Sequence, residues 1–250
     1  MIEFDDSLEK FYNEMYKPHL QTKDNAFLFC IAARKKYLKE NDECKLSNGA
    51  DIIERKTIDK DDFNRFKFRL SNLYTSEYLD LNDNIIPDYA KVIYVQLNPI
   101  NLKSAYCNYL KSVMEFNTEI INSTGKPLTS HTMTNLWYTS LQTEHSNKIW
   151  FDFDLDLLDA MSLYKDVFKD ELIQDFKQRF PLSVIHILTT RGGYHLLVKK
   201  ENMNKDFNPE VILGYLQKYS KYCSEIKMCK SNFIPCPGTH QGGDFVVKFN

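Results

Sequence analysis

The stretch KIWFDFDLDLLD, residues 148–159, constrains the chain more than any other segment. Acids at Asp152, Asp154 and Asp156 alternate with Phe151, Phe153 and Leu155. A period of two is that of a β-strand, whose residues i, i+2 and i+4 share a face. One face is then aromatic and aliphatic and belongs on a core. The other carries three carboxylates. Carboxylates this close repel, and each raises the pKa of the next unless a cation sits among them. Mg²⁺ and Mn²⁺ are hard cations that take such oxygen ligands, often together with substrate phosphates. A D-x-D pair also occurs on solvated sheet faces, so other parts of the chain must decide.

A second segment, ILTTRGGYHLLVKK at 187–200, reads as a hairpin around the turn Thr190-Arg191-Gly192-Gly193. Glycine lets backbone N–H groups approach a phosphate closely. Thr190, Arg191 and Gly193 are therefore candidate phosphate binders. His195 and Lys199 share one side of the following strand, opposite Tyr194, Leu196 and Val198. Both can add hydrogen bonds and charge to a triphosphate. His186 reads as structural.

The rest of the chain sets the frame. Residues 1–88 read as a helical N-terminal region. NAFLFCIAARKKYLKEND (25–42) has apolar residues at helical spacing, and DKDDFNRFKFRLSNLYTSEYL (59–79) is an amphipathic helix with Asp61 or Asp62 at its start. SNGAD at 47–51 is a turn. Strands follow at 90–99, 148–156, 182–190 and 194–200, with helices at 100–122, 132–145, 157–180 and 209–226. STGKPLTS at 123–130 is a loop, and 232–249 ends in a Pro/Gly turn and a strand. Strands mixed with helices, a hairpin and no Gly-rich dinucleotide fingerprint predict an α+β fold rather than a doubly wound sheet.

Net charge is only −2, so any basic face is local; after Thr190 the chain carries nine Lys or Arg against five Asp or Glu. No run approaches the ~18 apolar residues of a membrane span. The acidic N-terminus has no apolar segment of the signal-peptide kind. The six cysteines read as reduced thiols. Cys223, Cys229, Cys236 and His240 form C-x5-C-x6-C-x3-H, without the tight cysteine pair of structural zinc sites. Zinc is not expected there, and Cys223 falls in the helix predicted at 209–226.

WFDFDLD, then TTRGGYHLLV about forty residues on, then IPCPGTHQGG, together resemble the archaeo-eukaryotic primase superfamily, in its phage and plasmid primase-polymerase form. The resemblance covers residues 89–250. It implies a mixed-sheet catalytic core, an RRM-like module beside a second α/β module, following the helical region 1–88. It implies that Asp152 and Asp154 are the metal-binding pair, with Asp156 as an extra acid that shifts the register by two if it is used. It makes His195 the histidine that contacts nucleotide phosphates. It points to Glu225 as the third acid, where the family usually has Asp, with Asp244 competing. It brings the Pro237-Gly238-Thr239 turn and Gly242-Gly243 close to template or nucleotide. The implied activity is template-directed nucleotidyl transfer with Mg²⁺ or Mn²⁺, in phage or mobile-element DNA replication. The implied partners are a single-stranded DNA template, nucleoside triphosphates and a replicative helicase on a separate chain, in the cytoplasm of a bacterial host if the chain is phage-encoded. The missing third Asp keeps a second expectation open, an inactive nucleotide- or nucleic-acid-binding module. A replication-initiator endonuclease fits less well, because HIL at 186–188 lacks the second histidine of a His-hydrophobic-His metal pair.

Overall fold

The computed structural model describes residues 4–46, 51–60, 62–123, 129–144, 148–201 and 203–250. The turn expected at 47–51 and the loop expected at 123–130 lie largely outside them. Asp5 caps α1 (Asp6–Phe11) by accepting from the Ser7 N–H. The helix continues through a π turn, Tyr12–Tyr16, into α2 (Lys17–Leu20).

The next segment departs from the helical expectation for 1–88. Residues of the predicted 25–42 helix form β1 (Asn25–Ala33), and β2 (Asp51–Ile58) pairs with it antiparallel. All nine residues of β1 are buried. It is a central strand, with β2 on one side and β3 (Lys91–Gln96) on the other. A strand covered on both faces reads as a continuous apolar run, which periodicity does not separate from a buried helix. The second prediction holds: α3 (Phe63–Thr75) starts at Asp62, whose side chain accepts from the Arg65 N–H.

The first sheet also takes β4 (Ile100–Asn101) and, from far along the chain, β9 (Phe233–Pro235). The N-terminal residues thus share one sheet with residues from beyond position 88. Phe27 and Phe29 pack against Tyr16 and Phe66, with Tyr16 stacked on Phe27. The opposite face meets α4 (Leu102–Ser123) and α5 (Ser130–Thr143) through Leu28, Ala105 and Leu141.

The chain of the second sheet runs β5 (Trp150–Leu157), α6 (Lys165–Arg179), β6 (Ile185–Thr189), β7 (Gly193–Lys199), α7 (Pro209–Leu216) and β8 (Cys223–Met228), with the two helices packed on the strands. With the last strand of the chain, β12 (Lys248–Phe249), its strand order is β12-β6-β7-β5-β8. This is a β-α-β-β-α-β unit in which β7 is inserted between β5 and β6. The helix expected at 209–226 stops at Leu216. Cys223 lies in β8, because residues 223–228 alternate along the edge of β5. A 3₁₀ turn, Asp159–Tyr164, precedes α6. The chain closes with β10 (His240–Gln241), β11 (Phe245–Val246) and β12 (Lys248–Phe249).

The α+β class holds. A mixed sheet was expected, but the paired strands among the described residues are antiparallel throughout. The inserted hairpin strand is the reason: it separates β5 from β6, which would otherwise pair in parallel. No helix among the described residues is long and apolar enough to cross a membrane.

Candidate functional site

β5 presents its acids because its other face is committed. Phe153 and Leu155 are fully buried in one cluster with Phe168, Leu172 and Phe176 of α6. Burial of each such side chain contributes about 1.5–3 kcal/mol. Asn98, just past β3, holds the start of the strand. Its side chain accepts from the N–H groups of Ile149 (2.7 Å) and Trp150 (2.6 Å) and donates to the Trp150 carbonyl (3.0 Å). Asp152, Asp154 and Asp156 then share the face of buried Trp150.

Neighbouring strands complete that face. His195 of β7 and Lys227 of β8 are the cross-strand partners of Asp154; Glu225 is the partner of Asp156. His195 Nδ1 lies 2.9 and 3.0 Å from the two carboxylate oxygens of Asp152, and its Nε2 lies 3.8 Å from Asp154 Oδ1. Burial by itself would lower the His195 pKa. The charge and hydrogen bond of Asp152, with Asp154 and Asp156 behind it, outweigh burial and raise it to about 9. Asp154 is also pushed up, by burial first; His195 pulls it back down, while Asp156 and Asp152 add to the rise.

Asp154, Asp156, Thr190, Gly192 and His195 line one side of a cleft. Arg34, Lys36, Tyr37 and Tyr94 line the other. Arg34 follows β1 directly and donates to the Tyr94 hydroxyl at 2.9 Å. Lys36 is lowered by burial and by Arg34 and raised by Asp156 and Asp154, so the two walls sense each other's charge. Arg191 lies over the Tyr37 ring at 5.3 Å and belongs to the same basic group. A cleft with carboxylates on one wall and guanidinium and ammonium groups on the other suits a polyanion that also brings cations.

The structure distributes the predicted residues unevenly. Asp152, Asp154, Asp156, Thr190 and His195 come together. Asp152 is 3% exposed and hydrogen-bonded to His195, and the acids of β5 that line the cleft are Asp154 and Asp156. Glu225 stands beside Asp156, half exposed and ion-paired with Lys227. Lys227 Nζ also lies 3.6 Å from Asp154. Lys199 does not reach the cleft: it is four residues, about 13 Å, along β7 from His195 and pairs with Glu201. Asp244 is exposed in the turn between β10 and β11 and lines no part of the cleft.

Three N–H groups of the glycine turn are already paired within the protein. The N–H groups of Thr190, Arg191 and Gly193 are taken by the Gly193 carbonyl, the Gln241 side chain and the Thr190 hydroxyl. Gly193 serves close strand approach, since a Cβ there would sit 1.9 Å from the Leu155 carbonyl oxygen. The Pro237-Gly238-Thr239 turn packs against the start of the first helix: Gly238, at φ +74°, lies on Asp5 and Leu8, and Thr239 is buried. The four-residue zinc pattern weighed above does not converge. Cys223 lies in the core under α6 and α7, Cys236 in the core with α1, and Cys229 beside Asp152.

Sequence reasoning missed Arg34, Lys36, Tyr37 and Tyr94. The signal was the basic cluster ARKKY at the end of an apolar run. Reading that run as a helix hid that its end meets the acidic strand. Comparison with known protein families, with curated proteins and with solved structures finds no match to this chain.

Proposed function

We propose that the chain is a metal-dependent nucleotidyltransferase of the primase-polymerase kind. One observation carries this reading: the acidic face of β5 and His195 meet a basic wall across a single cleft. The split β-α-β-β-α-β unit supports it, being the strand arrangement an RRM-like module requires.

The donor set fits a hard divalent cation. Asp154 and Asp156 offer oxygen ligands, and Glu225 is adjacent; burial first, then the neighbouring Asp156 and Asp152, raise the Asp154 pKa, and a bound cation would offset both effects. Asp154 and Asp156 would hold Mg²⁺ or Mn²⁺ together with substrate phosphates, with Glu225 beside Asp156, while Asp152 orients His195. Such an ion, when bound, supplies Lewis acidity towards the attacking 3′-hydroxyl and the leaving pyrophosphate. Arg34, Lys36 and Arg191 would grip the triphosphate, and His195 Nε2–H would donate to one of its oxygens. Single-stranded DNA is the proposed template, nucleoside triphosphates are the proposed substrates, and a separate replicative helicase is the proposed partner.

The test is primer synthesis on single-stranded DNA with nucleotides and Mn²⁺. The expected result is synthesis that disappears when Asp154→Asn is combined with Asp156→Asn. Undiminished synthesis in that variant refutes the reading. Lys227 favours a second one. Its ammonium contacts both Asp154 and Glu225, so a fixed cation already neutralises the acids. The chain would then bind nucleotide or nucleic acid without catalysis. Tight nucleotide binding in chelator, with no pyrophosphate released, selects this second reading.

A further inference from the structure

We propose that Asp152, His195 and Cys229 form a site for a borderline-soft transition-metal ion of the Zn²⁺ class, adjoining the cleft that Asp154 and Asp156 line and using neither of those two carboxylates. The proposal goes beyond nucleotidyl transfer and stands independently of it.

Register creates the site. Cys229 follows directly on β8, and its N–H donates to the Asp152 carbonyl at 2.8 Å. Lys227 faces Asp154, so Cys229, two residues on, comes up beside Asp152 on the same face. His195 approaches from β7 on the other flank, with Nδ1 already 2.9 Å from Asp152. One oxygen, one nitrogen and one sulfur then lie within 4.8 Å of one another. Tetrahedral zinc with its usual bond lengths places such ligand atoms about 3.5 Å apart, so closure needs only small side-chain rotations. Among the described residues this is the sole convergence of three His, Cys, Asp or Glu ligand atoms.

Ligand chemistry sets the class of ion. A thiolate disfavours Mg²⁺ and Ca²⁺ and favours zinc and its neighbours, while imidazole and carboxylate suit the same ions. Asp152 and His195 are buried, as structural metal ligands usually are. Asp152 and Cys229 also line a cavity with Asn98, Lys148 and Trp150, which leaves room for water at a fourth position. Binding replaces the Cys229 thiol proton with metal, and a ring nitrogen of His195 must be free of its proton to ligate. With Nδ1 on the metal, Nε2 carries the remaining ring proton and faces Asp154 and the cleft.

The experiment uses the whole chain, stripped with a chelator and titrated with Co²⁺. The expected result is about one equivalent bound, with a near-ultraviolet sulfur-to-cobalt charge-transfer band. Cys229→Ser should abolish the band and weaken binding by about tenfold or more. Asp154→Asn with Asp156→Asn should leave the band unchanged. Absence of the band in the folded wild-type chain, or its survival in Cys229→Ser, overturns the proposal. Peptide mapping after alkylation adds a measurement that needs no variant: Zn²⁺ should protect Cys229, and equal labelling with and without Zn²⁺ overturns it. Cobalt binding in a chain that makes no primers refutes nucleotidyl transfer alone. Primer synthesis in a chain that shows no band refutes this site alone.

Discussion

Replacing His195 with Gln tests the electrostatics of the buried pair. In the metal-stripped chain the imidazole pKa is raised from 6.5 to about 9. A raised pKa means the folded state holds the proton more tightly than the unfolded state. The resulting stability is fully present below about pH 6.5 and is lost as pH rises through about 9. At 1.36 kcal/mol per pKa unit, the contribution is about 3 kcal/mol. The measurement is urea unfolding of wild type and His195→Gln at pH values of about 6, 7.5 and 9. Groups other than His195 titrate in both proteins, so the informative quantity is the difference between them. That difference should shrink by roughly 3 kcal/mol from the lowest pH to the highest. If it stays constant across the window, His195 is not an imidazolium held by Asp152, and the account of the pair fails.

Three further outcomes follow from the same geometry. Gly193→Ala sets a methyl 1.9 Å from the Leu155 carbonyl oxygen, and the strands must separate. Its cost, read by denaturant unfolding, should be at least about 1–3 kcal/mol. Lys227→Ala removes the ammonium that competes for Asp154 and Glu225, and Mn²⁺ affinity measured by electron paramagnetic resonance should rise by about tenfold, equivalent to ~1.4 kcal/mol; an unchanged affinity places Mn²⁺ elsewhere. Phe153→Ala empties a fully buried position under α6 and should cost about 3–5 kcal/mol in the same unfolding assay.

Local patterns in the chain were enough for several elements. The alternation at 150–157 predicts a strand and assigns its acids to one face. Asp62 marks the start of α3, and the Gly-Gly turn marks the β6–β7 hairpin. Each is set by neighbours within a few residues, so period and turn chemistry suffice. The candidate site was half readable for the same reason. His195 and the acids lie on recognisable strands, but which acid each neighbour meets depends on pairing between strands.

Tertiary structure decided the rest. β1 is a strand because β2 and β3 bury both its faces, a fact that no window of residues 25–33 contains. Arg34, Lys36 and Tyr37 reach the cleft only because β1 ends where the second sheet presents Asp154 and Asp156. Cross-strand register set His195 opposite Asp154, from where its ring reaches diagonally to Asp152, brought Cys229 alongside Asp152, and left Asp154 and Asp156 lining the cleft. By itself the sequence determined the alternation, the hairpin and the chemistry on offer at each position. Which groups meet was determined by approaches between residues 43 to more than 100 positions apart, as in the His195–Asp152 hydrogen bond and the facing of Lys36 and Asp154 across the cleft. Such contacts form only when the sheets have packed, because the apolar area that drives packing is spread over both halves of the chain.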